Sequence, residues 1–304
     1  MHDGWRTRIG LCGLGQMGLA VATRLATCFD VVAVDPDPAR RALADAVTGV
    51  TAVEALTEVA EHSTIVLSLP TPAISVQICS DLAGMLASGS LVIETSTVLP
   101  RDMIACAAVL APAGVAIVDA AILSGVGQMA SGAATLLLGG DDADIARAQP
   151  VLDVIGSSTQ RFGGLGAGMA AKVVNNAVAH AVMVVLVEGF AMAKSQGLDV
   201  KTIADMLAAP DGGLIRPLTH RMMQRVANGD FEGGMPLDAA RKDSTLALAM
   251  AQDGHVPLFA TQAAHTVYDL AVARGLGRAD YAVLATLWEQ WGEMSLTYRT
   301  EVPT

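Results

Sequence analysis

The chain has 304 residues, 52% of them hydrophobic and 16% charged, with a net charge of −11 at pH 7; that length predicts two domains rather than one core. Such acidity argues against nucleic-acid and anionic-membrane partners and leaves a small anionic substrate possible only at a local positive site. The four cysteines, Cys12, Cys28, Cys79 and Cys106, show neither CxxC spacing nor neighbouring histidines, so reduced thiols in a cytoplasm are expected, with no disulfide and no metal.

The opening MHDGWRTRIG enters a strand without an apolar leader, which predicts no secretory signal. Short β-branched runs then alternate with helical patterns. Strands are expected at Arg8–Cys12, Val31–Asp35, Thr64–Ser68, Leu91–Glu94, Gly114–Asp119, Thr135–Gly139 and Thr159–Phe162. Continuous apolar strands separated by helices imply crossovers, hence an α/β domain with a mostly parallel, doubly wound sheet covered on both faces. After the first strand comes Gly13-Leu14-Gly15-Gln16-Met17-Gly18, opening a helix expected over Met17 to Cys28. The fingerprint has its required context: a strand before, a helix after, and Asp35 ending the next strand. One glycine permits the turn, one admits a pyrophosphate, and one lets helix pack on strand. Asp35 would accept the adenosine ribose hydroxyls and repel a 2′-phosphate, so NAD is expected over NADP; Arg40 and Arg41, the residues that could hold such a phosphate, fall inside the next helix.

In an open parallel sheet the ligand lies beyond the carboxyl ends of the strands, so Leu69-Pro70-Thr71-Pro72 and Glu94-Thr95-Ser96-Thr97 should line the cofactor cleft, though each could be a plain strand exit. Asp119 to Gly127 reads as a strand leaving into a loop. Its glycine N–H groups could hold a carboxylate, or form an ordinary turn.

From Met169 to Phe190 there is no proline and one glycine, Gly189, and apolar residues cover most of every turn. A long helix, buried nearly all round, is the expectation. Asn175, Asn176, His180 and Glu188 interrupt it, which argues against a membrane span. Lys172 and Asn176 share a face. A lysine in an apolar cleft titrates closer to working pH and can carry a proton; equally, its stem packs while its head reaches water. Beyond it the pattern is helical: Val200–Ala208, Leu214–Ala227, Arg241–Gln252, Leu258–Ala273 and Tyr281–Thr297. The division expected is a Rossmann domain over 1–165 and an all-helical domain over 166–304, with the site in the cleft between them. A homodimer or homotetramer would cover Val182 to Val187. Arg216, His220 and Arg221 are read as approaching the cleft or as an exposed helix face.

The fingerprint, Leu69-Pro70, Glu94 to Thr97, Asp119 to Gly127, Lys172-Val-Val-Asn-Asn176, Lys242-Asp243 and Gly275 to Asp280 occur in one order across nearly the whole chain. Together they resemble the β-hydroxyacid dehydrogenase family, which includes 3-hydroxyisobutyrate dehydrogenase and tartronate semialdehyde reductase and is related to 6-phosphogluconate dehydrogenase. The resemblance implies an NAD(P)-dependent oxidoreductase of small β-hydroxy acids. It makes Lys172 the general acid and base and Asn176 a substrate partner, and it puts Thr97 at the nicotinamide ribose and Lys242 over the nicotinamide. The family usually reads Asp-Ala-Pro-Val-Ser-Gly-Gly where this chain has Asp119 to Gly125, so Leu123 falls at the serine. A shift of one residue would give the carboxylate to Ser124 and Gly125. The position near Met235, often Phe, also differs. An imine reductase is the nearest alternative, disfavoured by Lys172; a dinucleotide-binding protein without catalysis is the other.

Overall fold

The computed structural model describes residues 6–298. Two compact units divide the chain, Met1–Ala177 and Val178–Thr304.

The first unit contains β1 (Arg8–Cys12), β2 (Asp30–Val34), β3 (Val50–Val53), β4 (Thr64–Leu67), β5 (Leu91–Glu94), β6 (Ala116–Leu123), β7 (Thr135–Gly139) and β8 (Ser158–Gly163). They form one sheet in the order β3-β2-β1-β4-β5-β6-β7-β8. Strands β1 to β6 are parallel, β7 runs antiparallel to β6, and β8 is parallel to β7. The order of the first six is that of a dinucleotide-binding sheet, which reverses direction between β1 and β4. The helices of this unit are α1 (Gln16–Leu25), α2 (Pro38–Asp45), α3 (Leu56–Val59), α4 (Pro72–Ala83), α5 (Pro100–Leu110), α6 (Val126–Ala130), α7 (Asp142–Ile155) and the start of α8 (Ala167–Ser195).

Successive strand residues face opposite sides, so the sheet carries two cores. Val66 joins Val21 and Leu25 of α1 and Leu152 of α7. Its neighbours Ile65 and Leu67 join Cys79 and Leu82 of α4, Met103 and Leu110 of α5, and Met169 of α8. Each fully buried side chain of this size contributes about 1.5–3 kcal/mol of hydrophobic stabilisation. The cysteines are free, with Cys12, Cys79 and Cys106 buried; burial, with Glu94 nearby, pushes the Cys12 thiol up to about 12.

Two sheet features differ from expectation. The edge strand β3 departs from the expected set, because only Val50 of its four residues is buried and it lacks the continuous buried apolar run of the equally short β4 and β5. Strand β6 continues to Leu123, since Ala120–Leu123 pair with β7; the loop therefore begins at Ser124 rather than after Asp119.

The second unit holds the rest of α8 and then α9 (Val200–Ala208), α10 (Leu237–Asp253), α11 (Ala260–Ala273) and α12 (Ala285–Gly292). Leu237, Ala271, Val283 and Leu287 centre its core. Ser244 Oγ meets His265 Nδ1 at 2.7 Å, and Arg241 pairs with Asp269, joining α10 to α11. The helix expected over Leu214–Ala227 is instead a π-helical turn, Pro217–Met222, followed by a 3-10 turn, Val226–Asn228. Pro217 cannot donate to a helical ladder. The last expected helix breaks into a 3-10 turn, Tyr281–Leu284, and α12, which ends where Glu293 takes φ +50°.

Helix α8 corrects the expectation of burial all round. Val174, Val178, Met183 and Val187 are each more than half exposed, because an apolar sequence does not itself specify which surface covers it. With 29 residues and an 18-residue stretch of mean hydropathy 1.7, α8 is by length and composition long and apolar enough to cross a membrane.

Candidate active site

The turn between β1 and α1 gives each fingerprint glycine a separate reason. Gly13 has φ +98°, and a side chain there would collide with the Ser68 carbonyl; one at Gly18 would collide with the Gly13 carbonyl. Around Gly15 the space is open for 4 Å, so it alone faces a ligand. Helix α1 begins with no side-chain cap and no acidic residue in its first turn. Its first N–H groups therefore face the cavity unpaired, with the positive end of the helix dipole behind them, as a pyrophosphate requires.

This cavity, about 360 Å³, is bounded by Gly13 to Gly18 on one side and by Asp35, Arg40, Ser68, Leu69 and Pro70 on the others. The Asp35 carboxylate accepts the Leu14 N–H at 2.7 Å and the Asp37 N–H at 2.9 Å. One bond per oxygen leaves lone pairs for two ribose hydroxyls. Arg41 donates to the carbonyls of Asp35 at 2.7 Å and Pro36 at 3.0 Å, while Arg40 lines the cavity.

A second cavity of about 290 Å³ shares Met17, Ser68, Leu69 and Pro70 with the first and continues to Thr95, Ser96, Thr97, Ile122, Ser124 and Lys172. Its walls are positioned from beneath by a buried carboxyl. Glu94, wholly buried at the end of β5, accepts the Ser96 N–H at 2.7 Å, and the Ser96 hydroxyl accepts the Leu69 N–H at 2.7 Å. Burial pushes the Glu94 carboxyl above its usual range against these bonds, and the neighbouring Asp119 adds to the rise. The two expected loops are thus tied to each other by named bonds.

Asp119, also fully buried, accepts the N–H groups of Gly166 at 2.7 Å and Met169 at 2.9 Å. It closes the first turn of α8 one turn before Lys172. Burial raises its carboxyl too, against the pull of those N–H groups. Lys172 is half-buried and has no ion pair among the described residues; burial lowers its pKa. Facing the same cavity, the Ser124 Oγ is buried without a hydrogen-bond partner among the described residues. A buried hydroxyl left unpaired costs about 1–3 kcal/mol, which a bound oxygen would offset.

The remaining expected residues fall elsewhere. Leu123 ends β6 and packs into the core beneath the sheet rather than into the cavity wall, so the one-residue shift to Ser124 matches the fold. The Gly125 N–H is taken by Gln128 Oε1 at 3.1 Å. Asn176 accepts from Asn175 at 3.3 Å and is not in the cavity wall. Lys242 is in the helical unit, mostly exposed and 3.1 Å from Asp243. Sequence reasoning did not single out Ser68, Ser96 or Ile122; the strand-end rule pointed at the segments carrying the first two, and only the pairing of β6 with β7 exposes the third.

An uncapped helix beside an open glycine, a carboxylate with lone pairs free at the cavity wall, and an adjoining cavity with a half-buried lysine define a nicotinamide-dinucleotide-dependent oxidoreductase. Residues 8–164 match the family described as the NAD-binding domain of 6-phosphogluconate dehydrogenase, and residues 166–288 that described as the NAD-binding domain of NADP-dependent 3-hydroxyisobutyrate dehydrogenase. The chain is 32% identical to the 2-(hydroxymethyl)glutarate dehydrogenase of Eubacterium barkeri, over 95% of this chain and 97% of that one. A solved structure of Mycobacterium tuberculosis 3-hydroxyisobutyrate dehydrogenase with L-serine matches at TM-score 0.63 and 26% identity, over 92% and 99% of the two chains. An imine reductase from Pseudomonas sp. matches at TM-score 0.83 and 20% identity, over 92% and 98%, which shows the shared fold alone. The chain belongs to the β-hydroxyacid dehydrogenase family and is a dehydrogenase that binds NAD(P).

Proposed function

We propose that the protein interconverts a small β-hydroxy acid and its semialdehyde or keto form, preferring NAD, with Lys172 moving the proton. The observation that carries this reading is Lys172, half-buried and unpaired, in one cavity with the unpartnered Ser124 hydroxyl. When bound, the oxidised nicotinamide accepts the hydride. In that direction the neutral Lys172 Nζ takes the hydroxyl proton as the substrate's C–H bond breaks and a carbonyl forms; in reduction the ammonium returns the proton. Ser124 donates its hydroxyl to the substrate carboxylate. Asp35 accepts the ribose hydroxyls and disfavours a 2′-phosphate.

The fold is shared with imine reductases, and Lys172 is what favours a hydroxy acid over an imine. The exposed valines and methionine of α8 further suggest a homodimer or larger assembly that covers them. A panel of β-hydroxy acids, semialdehydes and cyclic imines, assayed by the absorbance of the reduced cofactor with NAD and NADP in parallel, tests the reading. Turnover of at least one hydroxy acid with a higher kcat/KM for NAD is expected. Reduction of imines alone would overturn it.

A further inference from the structure

The helical unit contains a basic cavity of about 510 Å³, independent of the proton chemistry at Lys172. Arg216, His220, Arg221, Gln224, Arg225 and Tyr281 line it. The first, second and fourth of these are successive four-residue steps along the π-helical turn and its continuation, so one ridge points three polar heads the same way. Arg221 and Arg225 form a second ridge beside it.

Asp280, wholly buried, holds that second ridge. It lies 3.1 Å from Arg221 Nε and 3.5 Å from Arg225 Nε. It also accepts the N–H groups of Met235 at 3.0 Å and Ala282 at 2.9 Å. The Arg221 contact is ionic without being a directed hydrogen bond, since this buried Nε lacks a hydrogen-bond partner. Its guanidinium is stacked 4.6 Å from the centre of the Tyr281 ring, which fixes the plane of the fork. Arg225 is further committed to the Glu232 carbonyl at 2.8 Å. The Arg216 side chain has neither an ion pair nor a hydrogen bond among the described residues.

Two guanidiniums therefore share one carboxylate while a third lines the same cavity, and these four groups together leave two positive charges in its wall in a protein of net charge −11. The nearly buried Arg221 shares its one counter-charge with Arg225, and a planar guanidinium held by stacking presents paired donors that match a carboxylate or a phosphate. We propose that this cavity binds a small dianion through carboxylate or phosphate oxygens, held chiefly by Arg216 and Arg221, with His220 and Gln224 at its edge.

Titration calorimetry on the full chain without nicotinamide cofactor, using glutarate in one arm and inorganic phosphate in the other at low salt, tests this. Saturable one-to-one binding of at least one anion is expected, and the tighter arm identifies the source as carboxylate or phosphate. Arg216→Gln should weaken that binding at least ten-fold, and Arg216→Gln with His220→Asn further, with Tm unchanged because neither residue holds Asp280. Arg216→Lys should restore part of the affinity as a point charge. Lys172→Ala should leave binding intact, which separates this site from the proposed catalytic one. Absence of saturable binding in both arms, full affinity in the double variant, or loss of binding in Lys172→Ala would each overturn the proposal.

Discussion

The two ends of α8 solve one problem in opposite electrostatic ways. Near its start, Asp119 accepts the N–H of Gly166, just before the helix, and of Met169 in its first turn; near its end, Glu188 on the helix accepts the N–H groups of Phe259, Ala260 and Thr261 at 2.6, 2.8 and 2.9 Å, and the Thr261 hydroxyl at 2.7 Å. Both carboxylates cap a helix N-terminus, one for α8 and one for α11. At Asp119 burial prevails and the pKa rises. At Glu188 burial pushes the same way, but the Thr261 hydroxyl and the three N–H groups outweigh it and hold the carboxyl at about 2. The balance of burial against donors decides the direction. Between these anchors lies an apolar surface left exposed among the described residues, so the carboxylates and not the valines fix where the helix goes.

Asp119→Ala should break the comparison most severely. Two buried N–H groups would lose their acceptor at about 1–3 kcal/mol each, which denaturant unfolding measures, and kcat should fall with it as Lys172 loses its fixed turn. Glu188→Ala should cost less, about 0.5–2 kcal/mol as for an ordinary cap, because Phe259 is 76% exposed and water can reach the freed N–H groups. Equal losses would mean that burial does not distinguish the two caps.

Within the sheet unit, if Ser124 holds the substrate carboxylate as proposed, Ser124→Ala removes a hydrogen bond to a charged group, about 1.5–3 kcal/mol. KM for the hydroxy acid should therefore rise roughly ten-fold or more while NAD affinity stays constant; an unchanged KM would put the carboxylate elsewhere. Asp35→Ala should narrow the ratio of kcat/KM for NAD over NADP, and a wild-type preference for NADP would direct attention to Arg40 in the cavity wall.

Acid titration separates the same two carboxyls without removing either. A carboxyl whose pKa falls on folding contributes stability that is present above its unfolded value and lost as pH drops through its folded value. Glu188 should therefore give up its contribution between about pH 4.5 and 2. Asp119, raised on folding, contributes in the opposite sense and loses nothing on acidification. Glu188→Gln should flatten the acid limb of a stability profile, and Asp119→Asn should leave it in place.

Much of the sheet unit was legible because its signals are local. Three glycines, an acidic residue at a fixed distance, and strand ends carrying Leu69 and Thr97 need no tertiary information. Ser124 became legible only when the pairing of Ala120–Leu123 with β7 showed that Leu123 belongs to the strand. The helical unit was harder to read between Leu214 and Asn228, where Pro217 breaks a pattern whose apolar spacing still suggested one helix. The role of Asp280 in holding Arg221 and Arg225 lies more than fifty residues from either arginine, beyond any spacing rule. The exposure of α8 was not legible at all, since a period of apolar residues predicts a covered face without naming the cover.

Lys172 is the centre of the functional account, and the pH dependence of kcat for hydroxy-acid oxidation, wild type against Lys172→Ala, tests it most directly. Burial lowers the pKa of this lysine, so wild-type activity should rise with pH through an apparent pKa below the ordinary lysine value of about 10.4. In Lys172→Ala that limb should disappear and kcat should drop by roughly 10²–10⁴, with NAD affinity unchanged. A variant that kept most of the wild-type kcat and the same rising limb would contradict the assignment and pass the proton to another group.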